Sequence, residues 1–515
     1  MTQSPLDGPD ELDGLGGLDG LGGLDGGGTR AAWAALGGDP ALLDRVSYVV
    51  REGALPARLP VVELARACVG ACALAAAELA ARRTGRPVPE VRVDDGAVAT
   101  AFVSERHLLV DGRAPVNFAP LSRFWRTADG WVRTHANYPH HRARLLAALG
   151  LEEGDGESAG DASVERVAAA LAERRATEVE DAVYSPTASR AWEVPPPEGL
   201  AVALRTPEQW SAHPQGVAVA GQPLLSREQT GPPDSSANRG PGPRRLPELS
   251  GDPLLPAAGL RILDLTRVIA GPVGTRTLAL LGADVLRVDP PHLPELPDQH
   301  ADTGFGKRST TLDLTAHADR RAFDELLAEA DVVVTGYRPG GLDRLGLTPE
   351  ALAGRRPGVV VAQVSAWGDY GPWGGRRGFD SLVQVASGIA AVEGSVERPG
   401  ALPAQALDHG TGYLLAAAVL RSLTEQLDGG GATLVRLALA QTAQWLVHRI
   451  AADEAGQGTA VEALYDPEDP TPWLAVTQSP LGRLRHALPP VCFRGGPDNW
   501  AHAPSRWGED TPKWR

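Results

Sequence analysis

The chain has 515 residues, room for two or three domains with buried cores, and sets 49 Lys and Arg against 64 Asp and Glu for a formal net charge of −15. That balance excludes a nucleic-acid footprint built on a broad basic surface, and any anionic ligand has to be held by a local cationic cluster. The three cysteines have no zinc spacing; Cys68 and Cys72 fall one helical turn apart in an Ala-rich run and read as buried small side chains. No apolar run reads as long enough to span a membrane, and the N-terminus has neither the basic start nor the apolar core of a signal peptide, so a cytoplasmic chain with no membrane partner is expected.

Residues 1–29, including LDGLGGLDGLGGLDGGG, are too rich in Gly and Asp to bury a core and are expected to form a disordered tail. A first globular region, 30–225, holds a long Ala/Leu helix over Pro60–Arg83, strand-like pieces at VRVDDGAVATAFV and HLLVDG, and GWVRTHANY leading into the helix HHRARLLAALG. Residues 226–256, dense in Pro, Gly and Ser, read as a linker. A second region, 257–450, opens with the short apolar strand LRILDL, the helix TRVIAGPVGTRTLALLG and the strand ADVLRVD. It continues with the helix DRRAFDELLAEA and the strands DVVVTG and GVVVAQVSAWG, and a Pro- and Trp-containing tail, 451–515, closes the chain.

Short apolar strands alternating with helices predict an α/β protein: a Rossmann-like, doubly wound parallel sheet, ligands lying beyond the carboxyl ends of its strands, with a second, smaller α/β domain. The GxGxxG turn of a dinucleotide site is absent, which disfavours nicotinamide and flavin. A faint repeat sets residues 60–97 beside 403–440, each with a Pro, a helix, a Gly-containing break and a strand. Ala65 or Arg66 stands in the first copy where the second has Asp408. His135, His140 and His141 are the most metal-like cluster, but positions 140 and 141 point to different sides of a helix and no carboxylate or cysteine completes a shell; they read as helix-start and surface residues, and no metal is expected.

Six segments, in order, carry a family resemblance: LDLTRVIAGP (263–272), LGADVLRVD (281–289), GKRSTTLDL (306–314), ADVVVTGYRPGGLDRLGL (330–347), SAWGDYGPWGGRRGFDSLVQVASG (365–388) and LDHGTG around Asp408. The chain resembles a class III CoA-transferase, the family of formyl-CoA and carnitinyl-CoA transferases. Residues 257–450 resemble the first half of such an enzyme, as a CoA-binding Rossmann-like domain with the catalytic aspartate. Residues 30–225 resemble its second half and 451–515 its ending, so the order is permuted or fused.

The resemblance implies that CoA moves from an acyl-CoA thioester to a carboxylic acid, with coenzyme A as substrate and no permanently bound cofactor. Asp408 would attack the thioester carbonyl to give a mixed anhydride, and the departing thiolate would return to form an aspartyl-CoA thioester. Backbone N–H groups of the HGTG that follows would meet developing negative charge at a helix start; the plainer role for Asp408 is an N-cap of the helix GYLLAAAVL. The implied CoA lining is Ile269 and Ala270; Leu312, Asp313, Leu314 and Thr315; Gly336, Tyr337 and Arg338; Arg344; and Arg377, Gly378, Phe379 and Asp380. Within it Tyr337 would stack on adenine and Arg344 would bind phosphate, against a plain surface role for Arg344 paired with Asp343 or Glu350. Arg267, Arg276, Lys307, Arg308 and Arg376 add to the supply of cations for phosphate.

Two features depart from the family. The glycine-rich loop that closes over the transferase site has no clear counterpart, and the positions after Asp289, where a CoA-binding arginine often stands, read PPHLPEL. Two other readings compete. An α-methylacyl-CoA racemase or epimerase would use the aspartate as acid/base partner to a histidine just before the aspartate of GFDSLVQ, where this chain has Phe379. A non-catalytic CoA-thioester binder would need no Asp408. The resemblance also implies a homodimer, part of whose interface a fused chain could satisfy internally.

Overall fold

In the computed structural model residues 27–116, 118–152, 159–184, 200–230, 248–249, 251–450 and 463–515 are described. The expected tail up to residue 26 and most of the expected linker lie outside them. The central sheet has seven strands: β1 (Leu225–Thr230), β2 (Arg261–Leu265), β3 (Asp284–Asp289), β4 (Arg308–Thr311), β5 (Val332–Thr335), β6 (Val360–Ser365) and β7 (Ala432–Ala438). Their spatial order is β4-β3-β2-β5-β6-β7-β1. Strands β2 to β7 pair in parallel, with Asp284 opposite Arg261 and Val332 opposite Ile262, while β1 joins β7 antiparallel. Counted within the second region, the six parallel strands run 3-2-1-4-5-6, the doubly wound order, with its switch point between β2 and β5.

The period-two alternation of the strands explains the layers. Ile262, Val332, Val334, Val360 and Ala362 point into one core; Leu263, Val333 and Val361 point into the other. The second core is closed by Phe323, Leu326 and Leu327 of the helix His317–Glu329 and by Leu352. Three helices cover the first face: α1 (Val61–Thr84), α2 (Ala270–Leu280) and, after the short α3 (Asp380–Ala386), α4 (Ala406–Leu427). Helices α2 and α4 cross at two glycines. A Cβ on Gly412 would stand 2.5 Å from the Ala270 carbonyl oxygen, and one on Gly274 would stand 2.9 Å from that of Gly412.

Helix α1 packs along α4, so the two helices of the sequence repeat face each other in one continuous core. A division into separate domains at 225 and 257 does not describe that packing: the expected linker begins inside β1, and Arg83 of α1 donates to the carbonyls of Pro256 and Ala258 at 2.7 and 2.9 Å. At 24 residues α1 is also long and apolar enough to cross a bilayer, contrary to the sequence expectation, although 89% of its most apolar 18-residue window is buried in protein. The strand expected over VRVDDGAVATAFV stops at Asp94, whose side chain accepts from Gly96 N at 2.9 Å and starts the helix Asp95–Phe102.

A smaller antiparallel sheet of Phe124–Arg126, Trp131–Thr134 and Ala201–Ala203 packs on Leu145 and Leu146 of the helix Pro139–Leu149 and on Val179 and Val183. Phe379 packs against both this core and the core of the large sheet. The C-terminal segment returns to the sheet: Trp507 Nε1 donates to Asp289 at 3.0 Å and Arg308 to the Lys513 carbonyl at 2.6 Å.

Candidate active site

Asp408 is the third residue of α4, and Gln405, at the cap position, supplies no side-chain hydrogen bond. The first-turn donors that this leaves open are taken by another helix. Asp380 Oδ2 accepts from Leu407 N at 2.9 Å and from Asp408 N at 3.0 Å, while Asp380 Oδ1 accepts from Gln384 one turn along α3 at 2.5 Å. The expected N-cap role of Asp408 therefore belongs to Asp380. The glycines of HGTG lie inside α4 at its helix crossings and present no open N–H groups at its start. Among the described residues the Asp408 carboxyl has no hydrogen-bond partner, and it faces a cavity of about 280 Å³ shared with Glu105, Arg106, His135, Ile269, Phe379 and Asp380.

The electrostatics follow from burial. Asp408 is 6% exposed; desolvation, with the neighbouring Asp380 and Glu105 carboxylates, raises its pKa well above the usual carboxylate range. Burial likewise raises Asp380 to about 7, against the opposing pull of the donors it accepts. Glu105 behaves differently. Burial acts to raise it, but the His409 ring, with Nε2 3.4 Å from Glu105 Oε2, brings it below its ordinary value. Phe102 stacks on that ring at 5.3 Å between centroids.

One wall of the cavity is aromatic. Phe379 stacks on His135 with centroids 3.6 Å apart, and His141 meets Phe379 edge-on at 5.4 Å. His135 and His141 are 4% and 3% exposed, which corrects their reading as surface residues: the strand Trp131–Thr134 and the first turn of Pro139–Leu149 turn both rings inward. Burial lowers the pKa of His135 to about 3 and lowers that of His141 too, so both rings are neutral. Arg377 Nη1 donates to His141 Nε2 at 3.3 Å.

On the other side the chain enters α2 through Val268, held at φ +70°, a conformation that costs a β-branched residue roughly 1–3 kcal/mol. Glu295 holds it there. Its carboxylate accepts from Val268 N at 3.1 Å, Arg287 at 2.9 Å, Leu296 N at 3.0 Å and the Tyr138 hydroxyl at 2.5 Å. Burial acts to raise Glu295, but the Arg287 and Arg267 guanidiniums and these donors bring it down to about 2. The segment PPHLPEL thus supplies a structural carboxylate at the site's edge.

These are the surroundings in which the matching segment of the chain is found. Residues 257–472 match the family model CoA-transferase family III. An acetyl-coenzyme A transferase of Hypoxylon pulicicidum is 34% identical over 40% of this chain and 36% of its own length. A "probable fatty acyl-CoA transferase" of Mycobacterium tuberculosis is 34% identical over 36% of this chain and 51% of its own. The formyl-CoA:oxalate CoA-transferase of Streptomyces coelicolor is 32% identical over 35% and 47%. The chain thus spans about a third to a half of the length of these relatives. A crystal structure of a hypothetical protein from M. tuberculosis aligns at 34% identity over 38% of this chain and 56% of that one, with a TM-score of 0.35.

Within the family III segment, the site residues named from sequence fall in several places. Asp408, Ile269, Phe379 and Asp380 line the 280 Å³ cavity, and Ala270 opens α2 beside it. Tyr337 and Arg338 line a different cavity of about 510 Å³ off the carboxyl ends of β5, β6 and β7, and the exposed Gly336 precedes them. Leu312 is buried in the second core, Leu314 packs against it, and Asp313 is engaged in a turn, accepting from Thr315 N and Oγ1 at 3.0 and 2.7 Å. Arg344 is exposed on the turn Asp343–Leu345 and, among the described residues, pairs with neither Asp343 nor Glu350. Gly378 has no room for a side chain beside Ala366 and Trp367.

Much of the expected cation supply for phosphate is already committed. Lys307 is buried on Asp264 at 3.0 Å and Arg276 on Asp302 at 3.2 Å. Arg308 pairs with Asp284 at 2.8 Å, and Arg267 donates to the carbonyls of Leu293 and Pro294. Arg376 lies over Trp373 and Tyr184. Sequence reasoning also missed Glu105, Asn137 and Gln299 as cavity residues; each sits in a segment with no chemical signature of its own, and only the fold brings them to Asp408.

Proposed function

We propose that the chain is a CoA-transferase that moves CoA from an acyl-CoA thioester to a carboxylic acid through a covalent intermediate on Asp408. One observation carries this reading: within a segment that matches CoA-transferase family III, a buried carboxyl group with no hydrogen-bond partner among the described residues opens onto a cavity of about 280 Å³. A structural carboxylate would be expected to be satisfied, as Asp380 is.

In the proposed reaction an ionised Asp408 oxygen attacks the thioester carbonyl carbon, the C–S bond breaks, and CoA leaves as thiolate, giving a mixed anhydride. The thiolate then attacks the Asp408 carbonyl, releasing the donor acid and leaving an aspartyl-CoA thioester. The acceptor carboxylate reverses these steps with its own carbon skeleton. The N–H groups of Ala270 and Gly271, which have no acceptor among the described residues, open α2 next to the cavity residue Ile269, and we propose them as the donors that meet negative charge on the donor carbonyl oxygen. We propose the 510 Å³ cavity, with Tyr337, Arg338 and Tyr370, for the nucleotide portion of CoA.

The racemase reading needs a proton carrier beside Asp408. Phe379 cannot serve, and burial leaves His135 a poor holder of a proton. The test is intact-mass spectrometry of wild type and Asp408→Ala after incubation with a panel of acyl-CoA thioesters, with hydroxylamine added to trap the adduct. A CoA or hydroxamate adduct on the wild type that is absent from the variant is expected; an adduct that persists in Asp408→Ala would overturn the assignment.

A further inference from the structure

Two buried polar groups beside Asp408 lack partners among the described residues. His135 is 4% exposed, and among the described residues neither of its ring nitrogens has a hydrogen-bond partner; the same is true of the buried amide nitrogen of Gln299. Both residues line the 280 Å³ cavity that holds Asp408 and also an adjoining cavity of about 230 Å³. Glu105, Asn137 and Val268 likewise border both spaces, so His135 and Gln299 stand where the two meet. An unsatisfied buried donor costs on the order of 1–3 kcal/mol, a loss that a ligand supplying the missing acceptor recovers.

We propose that His135 and Gln299 form the subsite for the acceptor acid, the imidazole N–H and the amide NH₂ each donating a hydrogen bond to the carboxylate of a small carboxylic acid lying beside Asp408. The proposal rests on the transferase reading and names the groups that hold its second substrate. Stacking on Phe379 fixes the plane of the His135 ring, so that its edge, where the nitrogens lie, is presented in a set direction. Arg106 is the cationic side chain among the described lining residues of the 280 Å³ cavity, and it is drawn to Glu105 at 3.8 Å. The acceptor is therefore held chiefly by neutral donors, which leave its oxygens the electron density needed for attack. The order of events also suits an anion here: once Asp408 is a thioester its charge is gone, so the acid meets one negative neighbour fewer, and the Glu105 carboxylate that remains faces Arg106 at 3.8 Å and the His409 ring at 3.4 Å. Its oxygen then attacks the aspartyl carbonyl carbon, the C–S bond breaks, and the thiolate, leaving with the electron pair, attacks the acceptor's acyl carbon to restore the Asp408 carboxylate.

The test has two arms on the full chain. In the first, ¹⁵N-histidine-labelled protein is titrated with oxalate, succinate and glutarate, the His135 ring signals being assigned by their loss in His135→Phe. Saturable shifts of those signals are expected with at least one acid, with half-saturation raised about two- to tenfold in Gln299→Leu, the loss of one neutral hydrogen bond. In the second, the decay of pre-formed Asp408 adduct is followed against acid concentration. His135→Phe, which keeps the stacked ring, raises the half-saturating acid concentration by a similar factor while the donor's KM holds, and His135→Gln, which restores a donor, returns it toward wild type. Adduct formation without any His135 shift, or equal losses toward donor and acceptor, overturns the subsite and leaves the transferase reading standing. Saturable His135 shifts in a protein that forms no adduct support the acid site and overturn the transferase reading instead.

Discussion

The carboxylate of Asp380 accepts the backbone N–H of Asp408 at 3.0 Å, so the residue that caps α4 is also the acidic neighbour of the proposed nucleophile. One contact sets both the position of Asp408 and the strength with which it holds its proton. After burial itself, Asp380 is the largest cause of the raised Asp408 pKa.

Because the proposed attack requires ionised Asp408, whose pKa is raised, adduct formation is expected to accelerate as pH rises above the usual carboxylate range. In Asp380→Asn a neutral amide replaces the negative neighbour, ionisation of Asp408 becomes easier, and the pH–rate profile moves to lower pH. The amide oxygen still caps α4 in part, so the stability loss should be about 1 kcal/mol. Adduct formation followed by mass spectrometry across a pH series checks this, and a profile unmoved or displaced to higher pH would count against the coupling.

Gly412→Ala should damage the site from inside the helix pair. The added methyl group would stand 2.5 Å from the Ala270 carbonyl oxygen, so α2 and α4 must separate. Overpacking of this kind costs roughly 1–3 kcal/mol. Asp408 lies one turn away on the same helix, and displacement of the reacting groups by about 1 Å can slow reaction on the order of 10²-fold. Urea denaturation and single-turnover adduct formation are the two measurements; a variant with wild-type values in both would show that the crossing tolerates the methyl group.

The Lys307–Asp264 pair is a stability element and not a phosphate contact. Lys307 Nζ lies 3.0 Å from Asp264 Oδ2 and donates to Thr275 at 2.7 Å, and burial lowers its pKa to about 8. Lys307→Met leaves the Asp264 charge buried without its partner and should cost about 3–5 kcal/mol. Adding Asp264→Asn should recover part of that loss. A double-mutant cycle in urea measures the coupling, and a single-variant cost within error of zero would rule the pair out as a structural one.

Acid should unfold the protein in part through Glu295. Its pKa falls from an ordinary 4.5 to about 2 in the fold, so its stabilising contribution is present above about pH 4.5 and is lost as pH drops toward 2. That shift corresponds to roughly 3 kcal/mol. Glu295→Gln should therefore be less stable than wild type at pH 7, with the difference shrinking as pH falls through that window. Thermal denaturation at pH 7, 5 and 3.5 reads the trend; a gap that widens in acid would contradict it.

Much of the architecture is legible along the chain. LRILDL, ADVLRVD, DVVVTG and GVVVAQV became parallel strands because short runs dominated by apolar side chains are buried on both faces of a sheet, and Asp408 fell at a helix start because the apolar run behind it has helical length and composition. These outcomes depend on local periodicity, which the order of residues carries by itself. The strand KRSTT was not distinguished as one, since its polar side chains conceal the pattern; the C-terminal segment packs over it, with Asp510 N donating to the Ser309 carbonyl at 2.8 Å.

What each charged or polar residue does was decided only by the tertiary structure. Lys307, Arg276 and Arg308 resemble free cations in sequence, and their buried acidic partners appear only once the strands are assembled. Asp380 reads only as a ligand contact until α3 brings it to the N-terminus of α4, where it caps that helix as well as lining the cavity. His135 reads as a surface residue until the small sheet lays its ring on Phe379, with which it shares no local sequence context. The sequence by itself determined the α/β order, the family III segment and the acidic residue at the head of α4. The partners of that residue were decided by tertiary structure, because hydrogen bonding and desolvation depend on groups distant in the chain and close in space.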